Sequence, residues 1–422
     1  MLFNQSDTII RICVIGAGNR GTNLAVQVKN HFPFASIAAV AEPNEGKRAV
    51  FCKDHSLEPD KAFISWKELV SSNQEFDAAI IATMDNQHTD PAIAVLKKGW
   101  HLLLEKPMAH TLQDCIKIDN AQKESGKMVS VCHTLRYRPE YQRIKDIVDS
   151  GIIGEIVTVE HLEAIGNIRF THNYVRGRWG NEQDNTFLLL HKSSHDIDFL
   201  SWIIGGKCKS VSSFGGIKYF NSQNAPNGST NRCTDSCRIE ESCIYSALRL
   251  YVNTDLNEWP AKDVPVDHTK EAHLLEIQKG PYGKCVWRSD NNVVDHQVVA
   301  LEFEGGATAT FTMSGFTSFI GRQTRIHGTK GDLFFDEANQ FIKLSVFGQN
   351  SSEIIEFPEK EGYHPEDKEI VGNWLNAIVR NDLQSILVDT TEALENHSIV
   401  FAAEKSRLEG KMIQAPFIAN SN

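Results

Sequence analysis

The segment "LLLHKSSHDID" at 188–198 places His191 and His195 four residues apart, with Lys192 between them and Asp196 and Asp198 close behind. On a helix, positions i and i+4 share a face, so the two imidazoles stand one turn apart. Three readings suit such a pair. It can begin a metal site, although a third ligand is needed and the acid of the H-E-x-x-H pattern is missing. It can transfer protons, because an imidazole titrates near neutrality. It can also be a structural pair on a helix framed by Leu190, Ile197, Leu200, Trp202 and Ile204. Lys106, in "EKP" at 105–107, is either a solvated strand-end charge or a donor aimed at substrate. Cys233, Cys237 and Cys243 follow a C-x3-C-x5-C spacing, and Cys285 in "GPYGKCVWR" offers a fourth thiol. Four thiolates would close one structural zinc site with no open position for chemistry; the same residues can instead be buried free thiols packed as small apolar groups.

These groups need elements to hold them. "TIIRICVIGAGNRGTNLAVQVKN" reads as a buried strand, a glycine turn and an amphipathic helix, with Gly16, Gly18 and Gly21 in G-x-G-x-x-G spacing and Asn19 and Arg20 inside it. The first glycine suits a tight turn, the second the approach of a pyrophosphate, the third close helix–strand packing. A second strand, "ASIAAVAEP", ends in Glu42, placed to accept hydrogen bonds from a ribose diol. That acid favours NAD over NADP, although Lys47 and Arg48 follow it and could hold a 2′-phosphate. Ligands in open α/β sheets bind beyond the carboxyl ends of the strands. Thr83, Asn86, His88, Glu105 and Lys106 all fall there and are expected at the cofactor.

Together, "GAGNRG", "EKP", "LRYRPEYQRIKDIVDSGIIGEI" and "HDIDFLSWIIG" make the chain resemble the Gfo/Idh/MocA family of NAD(P)-dependent oxidoreductases, over residues 10 to about 206. The resemblance implies a hydride transfer between nicotinamide and a secondary alcohol of a sugar, polyol or sugar derivative. It also implies that His195 is the base and that Lys106 assists it. Many relatives carry an aspartate where this chain has His191, which leaves the part played by His191 in proton transfer open. Arg136, Tyr137 and His133 lie where the family lines its substrate pocket. In the polar stretch "THNYVRGRWGNEQDN", Arg176 and Trp179 could bind a hydroxylated or carboxylated ring, or could belong to a surface loop; Asp198 could orient an imidazole or pair along the helix surface.

The expected architecture is α/β plus α+β. Residues 1–135 form an N-terminal Rossmann domain with a doubly wound parallel sheet. Residues 136–422 form a C-terminal domain with an open, mainly antiparallel sheet, whose closing helices can pack back on the first. By the resemblance, that sheet makes a homodimer or homotetramer. A net charge of -11 argues against nucleic acid and anionic lipid as partners. No apolar run approaches the ~20 residues of a membrane span, and the start of the chain does not read as a secretory signal. A cytoplasmic protein with a small carbohydrate or polyol substrate is therefore expected. Two other functions fit the same motifs: an NAD-dependent glycosidase that oxidises its sugar transiently, and a non-catalytic NAD(P)-binding regulator.

Overall fold

The computed structural model describes residues 9–264, 266–358 and 365–418. The first half alternates strands and helices: β1 (Ile10–Ile15), α1 (Asn19–His31), β2 (Ala35–Ala41), α2 (Glu45–His55), β3 (Ala62–Phe63), α3 (Trp66–Ser71), β4 (Ala78–Ile81), α4 (Thr89–Lys97), β5 (His101–Leu104), α5 (Leu112–Ser125) and β6 (Val129–Val131). The strands are short apolar runs, and β4 is buried along its whole length, as a strand covered on both faces must be. All six pair in parallel in the order β3-β2-β1-β4-β5-β6. The order reverses between β1 and β4, which opens a crevice at their carboxyl ends.

After α6 (Pro139–Asp149), which starts on a proline suited to a first helical turn, come β7 (Ile156–Ala164), α7 (Asn167–Phe170), α8 (Leu188–Ile204), β8 (Cys208–Gly216), α9 (Ala247–Tyr251) and α10 (Lys270–Lys279). β9 (His296–Phe303), β10 (Thr308–Ser314), β11 (Gly321–Gly328), β12 (Gly331–Asp336), β13 (Phe341–Val346) and β14 (Glu353–Glu356) precede α11 (Asp367–Arg380), α12 (Thr390–Glu409) and β15 (Ile413–Gln414). The second sheet runs β14-β13-β12-β11-β7-β10-β9-β8-β15. β7 and β10 are parallel and the other neighbours antiparallel. Alternate residues face inward, as in β9 and β10, so one face packs under α8 and α12. The other face leaves the paired Phe214 and Val298 exposed.

The closing helices pack on the first sheet. Ile370, Trp374 and Leu375 of α11 share a core with Leu24 and Val28 of α1. An amphipathic helix on the outside of the first sheet needs its remaining apolar stripe covered, and the end of the chain supplies the cover. α12 bridges the halves: Ala393 and Leu394 pack in the core of the first sheet, Ile399 and Val400 in that of the second. Among the described residues, no helix is long and apolar enough to cross a membrane.

Candidate active site

The glycine turn stands at the crevice. Gly16 adopts φ +93°, and a Cβ there would lie 2.6 Å from the Ala82 carbonyl oxygen. At Gly21 a Cβ would lie 2.0 Å from the Gly16 carbonyl oxygen, so α1 can start only with glycine there. Gly18 borders open space. The N-terminus of α1 has no side-chain cap and no acid in its first turn, which leaves a helix end suited to a phosphate. Glu42 braces the turn: its carboxylate accepts the backbone N–H of Ala17 and of Asn44, each at 2.9 Å. These features suit a dinucleotide.

Lys106 reaches across from the end of β5. Its Nζ donates to the main-chain carbonyl of His191 at 2.8 Å. His191 Nδ1 donates to Asp85 at 2.7 Å, and its ring stacks on Trp179 with centroids 3.9 Å apart. Asp85, just beyond β4, thus supplies a carboxylate to an imidazole on α8. Burial alone would raise its carboxyl, but the bond and charge from His191, with Lys106, hold it below the usual carboxylate range. Burial pushes the Lys106 ammonium down, against the pull of Asp85 and Glu105. His191 is lowered by burial, with Asp85 partly offsetting. One turn on, His195 is 9% exposed, and burial followed by the charge of Lys106 drives it well below the usual imidazole value. It is therefore neutral at neutral pH and able to accept a proton.

An adjacent face of α8 is fixed to the second sheet by buried charge. Lys192 pairs with Glu163 at 2.6 Å, and Arg322 bridges Glu163 and Asp196 at 2.9 and 2.5 Å. Because the helix turns about 100° per residue, one element carries a reacting face and an anchoring face.

Several residues expected at a ligand have structural partners instead. Arg20 is held by Glu105 and, through two bonds, by Asp367; it ties α1 to β5 and α11 because two carboxylates outcompete solvent there. His88 is enclosed, with Nδ1 donating to the Pro107 carbonyl at 2.8 Å. Thr83 donates to the Gln87 carbonyl at 3.1 Å. Asp198 is fully buried and accepts two bonds from Arg136, both 2.9 Å, and one from Asn396 at 2.7 Å. That pairing engages both oxygens of Asp198 within the protein. Tyr137 packs in the core of the first sheet, its hydroxyl donating to Asn373. The stretch read as a polar loop contains a π-helical turn, Thr171–Arg176, and Arg176 is buried on the carbonyls of Lys284 and Tyr245. Trp179 and Tyr174 are the members of that stretch whose rings meet His191.

Cys233, Cys237, Cys243 and Cys285 line one small cavity next to Arg176. As the side chains stand, no group of three or more His, Cys, Asp or Glu is placed to hold a metal ion among the described residues. The thiols border the cavity without closing on a common point. The histidine pair likewise belongs to no such group among the described residues.

Asp85 escapes a reading by motif, because "MDNQH" has no distinctive spacing. One signal was available: where relatives place an acid at position 191, a histidine there needs a carboxylate from elsewhere, and the end of β4 is the nearest strand end able to give one. His133 was noticed only for its position, and its surroundings prove more telling. It is fully buried, its ring meets those of His195 and His397 edge-on at 5.7 and 5.5 Å, and its Nδ1 lies 3.8 Å from Asp198.

Two family models match the chain. One, described as an oxidoreductase family with an NAD-binding Rossmann fold, covers residues 10–133, and its C-terminal alpha/beta companion covers residues 145–414. YteT of Bacillus subtilis, which carries the name of an oxidoreductase, is 25% identical over 275 residues, 64% of this chain and 61% of that protein. The chain thus spans about three fifths of that relative's length. An inositol 2-dehydrogenase of Salmonella typhimurium is 24% identical over 368 residues, 83% of this chain and 98% of the relative. Among solved structures, the scyllo-inositol dehydrogenase of Lactobacillus casei, with NAD(H) and scyllo-inositol bound, superimposes with a TM-score of 0.66 at 17% identity, covering 96% of this chain and 99% of that one. At that identity the likeness speaks for the fold.

Proposed function

The chain belongs to the Gfo/Idh/MocA oxidoreductase family, and we propose that it moves a hydride between a nicotinamide dinucleotide and a secondary alcohol of a sugar, polyol or sugar derivative. The observation that carries this reading is the meeting of Lys106, His195 and the His191–Asp85 pair at the carboxyl ends of β4 and β5, beside the glycine turn. Asn86, Lys106 and the N-terminus of α1 would border the space the dinucleotide takes, and Glu42 would face its ribose. That carboxylate supports NAD over NADP by repelling a 2′-phosphate.

The nicotinamide, when bound, takes up the hydride. Neutral His195 removes the hydroxyl proton as the C–H electron pair departs, so the alcohol carbon becomes a carbonyl. Lys106, still a donor while buried, stabilises the charge that grows on the substrate oxygen. Asp85 keeps the His191 proton on Nδ1 and so orients that ring beside the reacting group. Trp179, with His191 stacked on its ring and the Arg178 guanidinium 4.7 Å from its centroid, walls that side of the crevice. The names of the inositol dehydrogenases among the relatives support a cyclic polyol. The exposed apolar pair Phe214 and Val298 on the open sheet supports a homo-oligomer, which light scattering would measure.

A panel of inositols, aldoses and uronates assayed with NAD and with NADP, following absorbance of the reduced cofactor, tests the reading. Reduction of NAD by a polyol, lost in His195→Ala, is expected. Unchanged turnover in His195→Ala, or no reduction by any member of the panel, would overturn it.

A further inference from the structure

We infer that His133 is a positioning residue for the base, linking His195 to Asp198 in a buried chain of two imidazoles and one carboxylate. The inference rests on the reading of His195 as the proton acceptor and adds what holds it ready.

The two nitrogens of His195 differ in surroundings. Nδ1 is sealed from solvent with no hydrogen-bond partner, whereas Nε2 keeps solvent access. A base that accepts through Nε2 carries its own proton on Nδ1, and a buried N–H needs an acceptor. The neighbouring polar side chain is His133, whose ring meets that of His195 at 5.7 Å and 88°. Both nitrogens of His133 are themselves buried and unpartnered. Three orphaned nitrogens in two touching rings are costly unless they serve each other at some stage of the cycle.

Asp198 ends the chain. Arg136 donates to both of its oxygens and Asn396 to Oδ1. Oδ2 accepts from Arg136 Nε alone, so it has a lone pair free, and His133 Nδ1 lies 3.8 Å from it. A small rotation of the His133 ring closes both contacts: Nδ1–H donates to Asp198, and Nε2 accepts from His195 Nδ1–H. When His195 Nε2 takes the hydroxyl proton, the positive charge is then stabilised through His133 by the carboxylate. No proton need leave His195 for this, and the proton on Nε2 passes to solvent when the base is reset. The other charged groups facing His133 are Arg136, Lys106 and Glu105, and those facing His195 are Lys106, Arg322 and Lys192. His397 closes the far side but is already committed, accepting from the Met108 N–H and donating to the Ala393 carbonyl.

His133→Phe keeps a ring and removes both nitrogens; His133→Asn keeps one donor and one acceptor. Steady-state rates with the polyol identified by the panel are measured against pH, with cofactor affinity by fluorescence titration. In His133→Phe, kcat is expected to fall roughly 10- to 100-fold, a share of the 10²–10⁴ that a positioned acid–base group supplies. KM and cofactor affinity should stay within about twofold, and the acid limb of the kcat profile should move to lower pH, because the imidazolium has lost its stabiliser. His133→Asn should recover part of the rate. In a His195→Ala background, either substitution should have no further effect. A folded His133→Phe with wild-type kcat and an unmoved acid limb would overturn the inference, as would a His133→Asn that loses KM and kcat alike should the phenylalanine variant not fold. The base reading fails separately, through activity in His195→Ala alone.

Discussion

Asp198 offers a sharp test, because its sequence position suggests a substrate contact and its surroundings make it a structural anion. Replacing it with asparagine removes the charge that faces Arg136 and keeps the volume. Arg136 is 3% exposed and would retain the Leu387 carbonyl and Glu392, which sits 2.7 Å away but is 41% exposed. Removing one partner of a buried pair costs about 3–5 kcal/mol, since the other charge stays desolvated. Glu392 and the asparagine oxygen cover part of the loss, which points to the lower end, about 3 kcal/mol. At roughly 2 °C per kcal/mol for a large domain, the melting midpoint should drop by about 6 °C. Urea titration with an unchanged slope would show that the loss lies in the folded state. Arg136→Met/Asp198→Leu should recover much of the stability, because an apolar pair often replaces a buried ion pair without loss. The rate constant of Asp198→Asn should also fall, through His133, so KM is the discriminating kinetic quantity. A midpoint within about 1 °C of the wild type together with a KM raised tenfold would refute the assignment and return Asp198 to the substrate.

Asp85→Asn should lower kcat/KM by roughly 10- to 100-fold, the scale of a hydrogen bond to a charged partner, with cofactor affinity unchanged by fluorescence titration. Lys106→Met removes the largest charge acting on His195 after burial; the protonated imidazole is then less penalised, so the acid limb of kcat/KM should move to higher pH, toward the ordinary imidazole range, and an unmoved limb would contradict the contact. Gly21→Ala sets a Cβ against the Gly16 carbonyl and should weaken cofactor binding at least about tenfold in the same titration. Glu337, beside Arg138 and Arg322, is lowered from 4.5 to about 2 by those charges against its burial. Its contribution is therefore complete above pH 4.5 and lost as pH falls toward 2, so Glu337→Gln should flatten the stability profile measured by urea between pH 5 and 3.

The fold was legible where the chain has one dominant period. The parallel strands are apolar runs closed by glycine or polar residues, and the second sheet alternates strictly enough that β9, β10 and β13 fall where the pattern puts them. "QTRIHGTKGDLFFDE" reads as one run but forms the hairpin of β11 and β12, because Thr329 and Lys330 make the turn without a strong turn signature beyond the two glycines. At the site, the glycines, Glu42, Lys106 and His195 stand together at the crevice, whereas Arg20 of the same glycine motif is tied to Glu105 and Asp367. Chemical type alone does not locate a residue. Arg136, Arg176 and Asp198 can all bind a sugar in principle, but each has a buried partner from a distant part of the chain, and sequence spacing carries no trace of partners 60 or more residues away. Asp85 was missed for the mirror reason, since its partner lies 106 residues on.

Lys106 holds on to position 191 by the main-chain carbonyl, a group every amino acid provides. The side chain at 191 is consequently exchangeable without loosening the lysine. An aspartate there would bring its own negative charge to the crevice; a histidine borrows one from the end of β4. The two solutions are alternative wirings of one socket, and His191→Asp combined with Asp85→Asn would convert this protein from one to the other while the lysine stays where it is.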